Sequence, residues 1–136
     1  MVSSEHDTDH STTIRIKPDF VMITASWTKR VPEARRRAVA MFAMAFNYKL
    51  EHNTTNLDID QDDGEVVLST TMPVGVMAKS PTGMLKYYVD QSGMAAEIAL
   101  TGAKGIASGE NDDPLEHGEA TATLLNMLTE MKHENH

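Results

Sequence analysis

Residues 32 to 100 switch the period of their apolar residues twice, from helical to alternating and back, and that order leaves few folds open. From Pro32 to Leu50 the spacing is helical: Val39, Phe42, Ala43, Phe46 and Leu50 fall at i, i+3, i+4, i+7 and i+11. Met41, Ala45 and Tyr48 widen this stripe, which predicts a helix covered on two sides. Strict alternation follows. Leu57 and Ile59 interleave with Asp58 and Asp60, and Val66, Leu68, Thr70 and Met72 oppose Val67, Ser69 and Thr71. Between the two runs stands Asp62-Asp63-Gly64, where glycine supplies the positive φ of a tight hairpin turn. The spacing turns helical again from Ser80 to Leu100, opened by a Ser-Pro start.

Around this frame the chain reads as a single domain over 14–132. Met1 to Thr13 is polar and lacks periodicity, which predicts a flexible tail. Ile14 to Lys17 alternates, Pro18-Asp19 signals a turn, and Phe20 to Trp27 is rich in β-formers, so an N-terminal hairpin is expected. Gly93 weakens the second helix and is a place for it to kink or stop. Thr101 to Asp113, with Gly102, Gly105 and Gly109, reads as a flexible link. Pro114 opens a last helix whose stripe is Ala120, Leu124, Met127, Leu128 and Met131, with 133–136 frayed.

Composition narrows the function classes. The formal charge of −8 disfavours non-specific contact with nucleic acid or anionic membrane. The longest apolar block, Ala38 to Phe46, is too short to span a bilayer, and a cytoplasmic protein is the expectation. With no cysteine there is no disulfide, thiolate metal site or thiol nucleophile. The ten methionines matter more, because Met is flexible and suits adaptable contact surfaces as well as core gaps.

No motif carries recognisable chemistry. The acids from Asp58 to Glu65 alternate like calcium ligands, but the glycine lies one place late for an EF-hand and Ser69 stands where the closing glutamate belongs. A hairpin with solvated acids is the simpler reading. Lys29, Arg30, Arg35, Arg36 and Arg37 form the one basic cluster, and cations at a helix start oppose its dipole. Glu116, His117 and Glu119 open the last helix, with nothing in the sequence to orient them. Gly102-Ala103-Lys104-Gly105 lacks the Lys-Ser/Thr ending of a phosphate loop. No catalytic residue, metal ligand or cofactor site is therefore assigned.

The helix ending in Phe46-Asn47-Tyr48, the strand Asn56 to Asp60, the turn Asp62-Asp63-Gly64-Glu65, the strand Val66 to Pro73 and the opening Ser80-Pro81-Thr82 together resemble the YbjN-like family. That family shares the type III secretion chaperone fold, although this chain opens with strands where secretion chaperones open with a helix. The resemblance implies an α+β fold, a curved antiparallel sheet packed against helices, with homodimers and polypeptide partners and no catalytic residues. The functional expectation is a non-enzymatic, chaperone-like or regulatory protein-binding module. Its candidate contacts are Met41, Met44, Met72, Met77 and Met84, with Arg35 and Arg36. The alternative is a small-ligand protein or small enzyme with an apolar pocket between helix and sheet, lined by Trp27, Tyr48, Tyr87 and Tyr88.

Overall fold

A computed structural model describes residues 10–51, 54–73 and 81–134. The elements run β1 (His10–Ile16), β2 (Phe20–Trp27), α1 (Glu33–Lys49), β3 (Thr55–Ile59), β4 (Val66–Pro73), α2 (Pro81–Ala107) and α3 (Pro114–Glu134). The fold is α+β. Its four strands form one open antiparallel sheet in the order β1-β2-β4-β3.

The alternation seen in the sequence sets the faces of the sheet. Val21, Ile23 and Ala25 of β2 lie in register with Met72, Thr70 and Leu68 of β4, and Trp27, Val66 and, from β3, Leu57 and Ile59 are buried with them. α1 and the second half of α2 pack on it, and Val89 of α2 covers a smaller group formed by Val21, Ile23 and Met72. The opposite face is dominated by Ser and Thr (Thr24, Ser26, Ser69, Thr71) and carries no helix among the described residues. α3 adds a further layer, resting on α1 and α2 rather than on the sheet.

Phe42 joins these layers. It is fully buried on α1 and stacks on Phe46 with ring centroids 6.2 Å apart. A Cβ at Gly102 of α2 would lie 2.7 Å from the Phe42 ring, and one at Gly118 of α3 would lie 2.5 Å from the Phe42 carbonyl oxygen. Both glycines are therefore sites of close helix approach. This is why the expected link at 101–113 is shorter than its composition suggests: Gly102 and Gly105 belong to α2, which runs unbroken through Gly93 to Ala107. The connection begins at Ser108, with Gly109 in the left-handed region at φ +80°. Asp113 then caps α3, its Oδ1 accepting the Glu116 N–H at 3.1 Å, with Pro114 following in the first turn.

The hairpin turn holds together through its own acids. Asp60 Oδ1 accepts the Asp62 N–H and Asp63 Oδ1 accepts the Glu65 N–H, each at 2.8 Å. Gly64 has φ +79° and is pressed against Val31, whose N–H donates to the Gly64 carbonyl at 2.9 Å. The first strand and the last helix each reach past the bounds expected for them. β1 begins at His10, inside the segment read as a tail, because residues 10 to 13 pair in register with Thr24 to Trp27. α3 continues to Glu134, past the expected start of fraying.

Gly118→Ala should lower unfolding stability by about 2 kcal/mol, since the methyl meets backbone that has no room to yield. Gly93→Ala, where a Cβ meets nothing within 4 Å, should instead raise it by up to about 1 kcal/mol. Urea titration followed by the fluorescence of the buried Trp27 checks both.

Candidate functional site

The expected contact residues do not share one surface. Met72 is buried beneath α2, out of a partner's reach in this fold. Met44 is exposed on α1 and Met41 is half-buried. Met77 lies outside the described residues, and of Met84 only its place in the first turn of α2 is described.

The two arginines act within the fold. Nε and Nη2 of Arg35 both donate to the Ile106 carbonyl, at 3.0 and 2.7 Å, placing a cation on the negative end of α2. Arg36 donates through Nε to Val31 and through Nη1 to the carbonyls of Gln61 and Asp62, tying the hairpin turn to the start of α1. The puzzle of cations at a helix start is thereby resolved. Their side chains leave the positive end of α1 for backbone oxygens elsewhere.

What the fold does create is a cleft of about 610 Å³ between α2 and α3. Glu97, Ile98, Thr101, Gly102 and Gly105 line it from α2, and His117, Thr121 and Leu124 from α3, with Glu110 and Asn111 from the connection. The missing side chain of Gly105 helps to open it: a Cβ there would meet only His117 Nε2, at 3.7 Å. His117 is oriented after all, its ring tilted against Phe42 with centroids 5.4 Å apart. Its backbone carbonyl accepts the Thr121 hydroxyl at 2.7 Å.

α3 also turns its faces unexpectedly. The side on α1 and α2 consists of Gly118, Thr121, Ala122, Leu125 and Thr129, mostly small or hydroxylated residues. The apolar stripe read from the sequence points elsewhere, roughly 130° around the helix. Leu124, Met127 and Met131 are 48%, 56% and 55% exposed. Leu124 opens this line in the cleft, and Leu128 and the two methionines carry it along α3. Close packing explains the rotation: only small residues let α3 approach Phe42 and Ala45. The glycines and threonines were visible as the signal, but a hydrophobicity count ranks them below Leu and Met.

The sheet's two edges are treated differently. At β3, the side chain of Asn47 on α1 acts as a substitute strand: its Nδ2 donates to the Leu57 carbonyl at 2.7 Å and its Oδ1 accepts the Leu57 N–H at 2.8 Å. At β1 no strand covers the outer edge among the described residues. Ile14 and Ile16 lie on the same side as the core but are 45% and 76% exposed.

The α2–α3 cleft lies between two helices, not between helix and sheet. Trp27 is core, Tyr48 is exposed on α1, and neither lines the cleft. Among the described residues no three His, Cys, Asp or Glu side chains come together as a metal site, and no helix is long and apolar enough to cross a membrane. Comparison with protein-family models, with curated proteins and with solved structures finds no match to this chain.

Asn47→Ala should cost about 2 kcal/mol, because it strips partners from a part-buried N–H and carbonyl at once. Hydrogen exchange should quicken at the Leu57 amide before it does at Leu68, its neighbour on β4.

Proposed function

We propose that this chain is a non-enzymatic recognition module, chaperone-like or regulatory, that binds a polypeptide in the α2–α3 cleft and along the adjoining stripe of α3. The observation that carries this reading is the outward turn of the strongest apolar stripe on α3. Leu124, Met127 and Met131 stand in solvent while small residues fill the core side. A continuous apolar line at i, i+3 and i+7 is the anchor spacing of an amphipathic partner, and thioether side chains adapt to varied sequences. Glu97 and Glu110 border the cleft on a chain of net charge −8, so the partner of matching chemistry is an amphipathic segment with basic residues. The resemblance to the YbjN-like family and its chaperone fold points the same way.

The same cleft volume falls within the range of small-molecule sites, which is the competing reading. That reading expects a metabolite, not a peptide, to raise the melting temperature.

A labelled synthetic helix of Leu and Lys, with Leu at i, i+3, i+4 and i+7, should bind saturably by fluorescence anisotropy. Its Leu and Glu counterpart should not. Replacing Leu124 and Met131 together by Ser should weaken binding at least about tenfold, as loss of central apolar anchors does. Equal binding by the wild-type and doubly substituted chains, or no binding of the Lys peptide, refutes the proposal.

A further inference from the structure

We infer that β1 is a self-pairing edge, and that two copies of this chain join there into one continuous eight-stranded antiparallel sheet about a twofold axis at Thr13. The surface is separate from the α2–α3 cleft, and the inference stands apart from the reading of that cleft.

The phase of hydrogen bonding supplies the first argument. The Lys17 N–H donates to the Phe20 carbonyl at 2.9 Å, which makes that pair a bonded one. Bonded and non-bonded pairs alternate in an antiparallel ladder, and β1 meets β2 in unbroken register from His10↔Trp27 to Ile16↔Val21. Arg15 and Thr13 therefore bond inward to β2, while the N–H and carbonyl groups of Thr12, Ile14 and Ile16 point outward. The side chains of these three outward-bonding residues lie on the core side of the sheet. The exposed apolar surface and the open polar edge thus belong to the same residues.

Second, the strand complements itself. A twofold at Thr13 sets Thr12 against the second copy's Ile14 and Ile14 against the second copy's Thr12, each pair exchanging two N–H···O bonds. Ile16 falls opposite the second copy's His10. The overlap then uses the whole of β1 from His10 to Ile16. The charges agree with this register: Arg15 lies opposite the second copy's Ser11, so no like charges face each other directly.

Third, β1 lacks most of the usual protections of an edge, Arg15 being the one Lys, Arg, Asp or Glu on it. It is seven residues long, has no bulge and no proline, and among the described residues no helix shields Ile14 or Ile16. The chain does guard β3, with Asn47, so the two edges of one sheet are built for different ends.

The full chain, free of cysteine, allows a direct test. Thr13 is exposed and would face its copy across a non-bonded pair, whose Cα separation of about 4.5 Å suits a disulfide. T13C should crosslink rapidly under mild oxidation, and D58C, at an exposed site on β3, should not. Light scattering coupled to size exclusion should give the mass of two chains for the wild type. T13K, which sets two cations face to face on the axis, should weaken self-association at least about tenfold. A one-chain mass at every concentration up to about 1 mM, or T13C crosslinking no faster than D58C, overturns the inference.

Discussion

Phe42 is the contact on which the arrangement of layers depends. Its ring fills the space that Gly102 leaves on α2, its carbonyl lies against Gly118 on α3, and His117 leans on its edge. Three helices therefore converge on one side chain through residues without side chains of their own. Dispersion attraction falls steeply with separation, so such close approach gains more than a looser interface between larger residues. The same glycines have an opposite effect one turn away. Where Gly105 faces His117 the helices do not fill the gap, and the cleft begins. Tight packing at Phe42 and open volume beside it are products of one small-residue pattern.

Much of the architecture was legible because period and punctuation agree. The α1 stripe is buried as the spacing implies, Val66 to Pro73 forms β4 with its even-numbered residues inward, and Gly64 takes the positive φ that its turn position demands. Pro114 starts α3 as a helix-opening proline should. Readings failed where glycine means proximity rather than flexibility. Gly102 and Gly105 look like a linker until Phe42 and His117 are placed against them, and that placement is a tertiary fact. The face of α3 failed for the same reason, since its partner accepts only small residues. Nor does the sequence reveal the cleft, whose lining comes from two helices and their connection.

The basic cluster shows how local electrostatics yields to geometry. Arg35 and Arg36 stand near the positive end of α1, where cations are disfavoured, yet their length carries the guanidinium groups to carbonyl oxygens of α2 and of the hairpin turn. Arginine suits this role because its planar fork offers several parallel donors. Arg30 follows a related logic: it pairs with Glu65 at 3.2 Å, and Glu65 also accepts the Ser26 hydroxyl. The links from Arg36, Arg30 and Ser26 each join an otherwise separate element to the hairpin between β3 and β4. The turn is thus braced from β2 and α1, and the carboxylates of Asp60 and Asp63 are spent on its own backbone amides.

The amide of Asn47 has a reach beyond local stability. A sheet with two bare margins can accrete neighbours in an unending row, head to tail, as fibrils do. Here one margin is already occupied from within the molecule, by a side chain that leaves Leu57 nothing to offer a newcomer. Leu57 is the middle residue of β3, so a strand arriving at that margin must displace Asn47 before it can pair there.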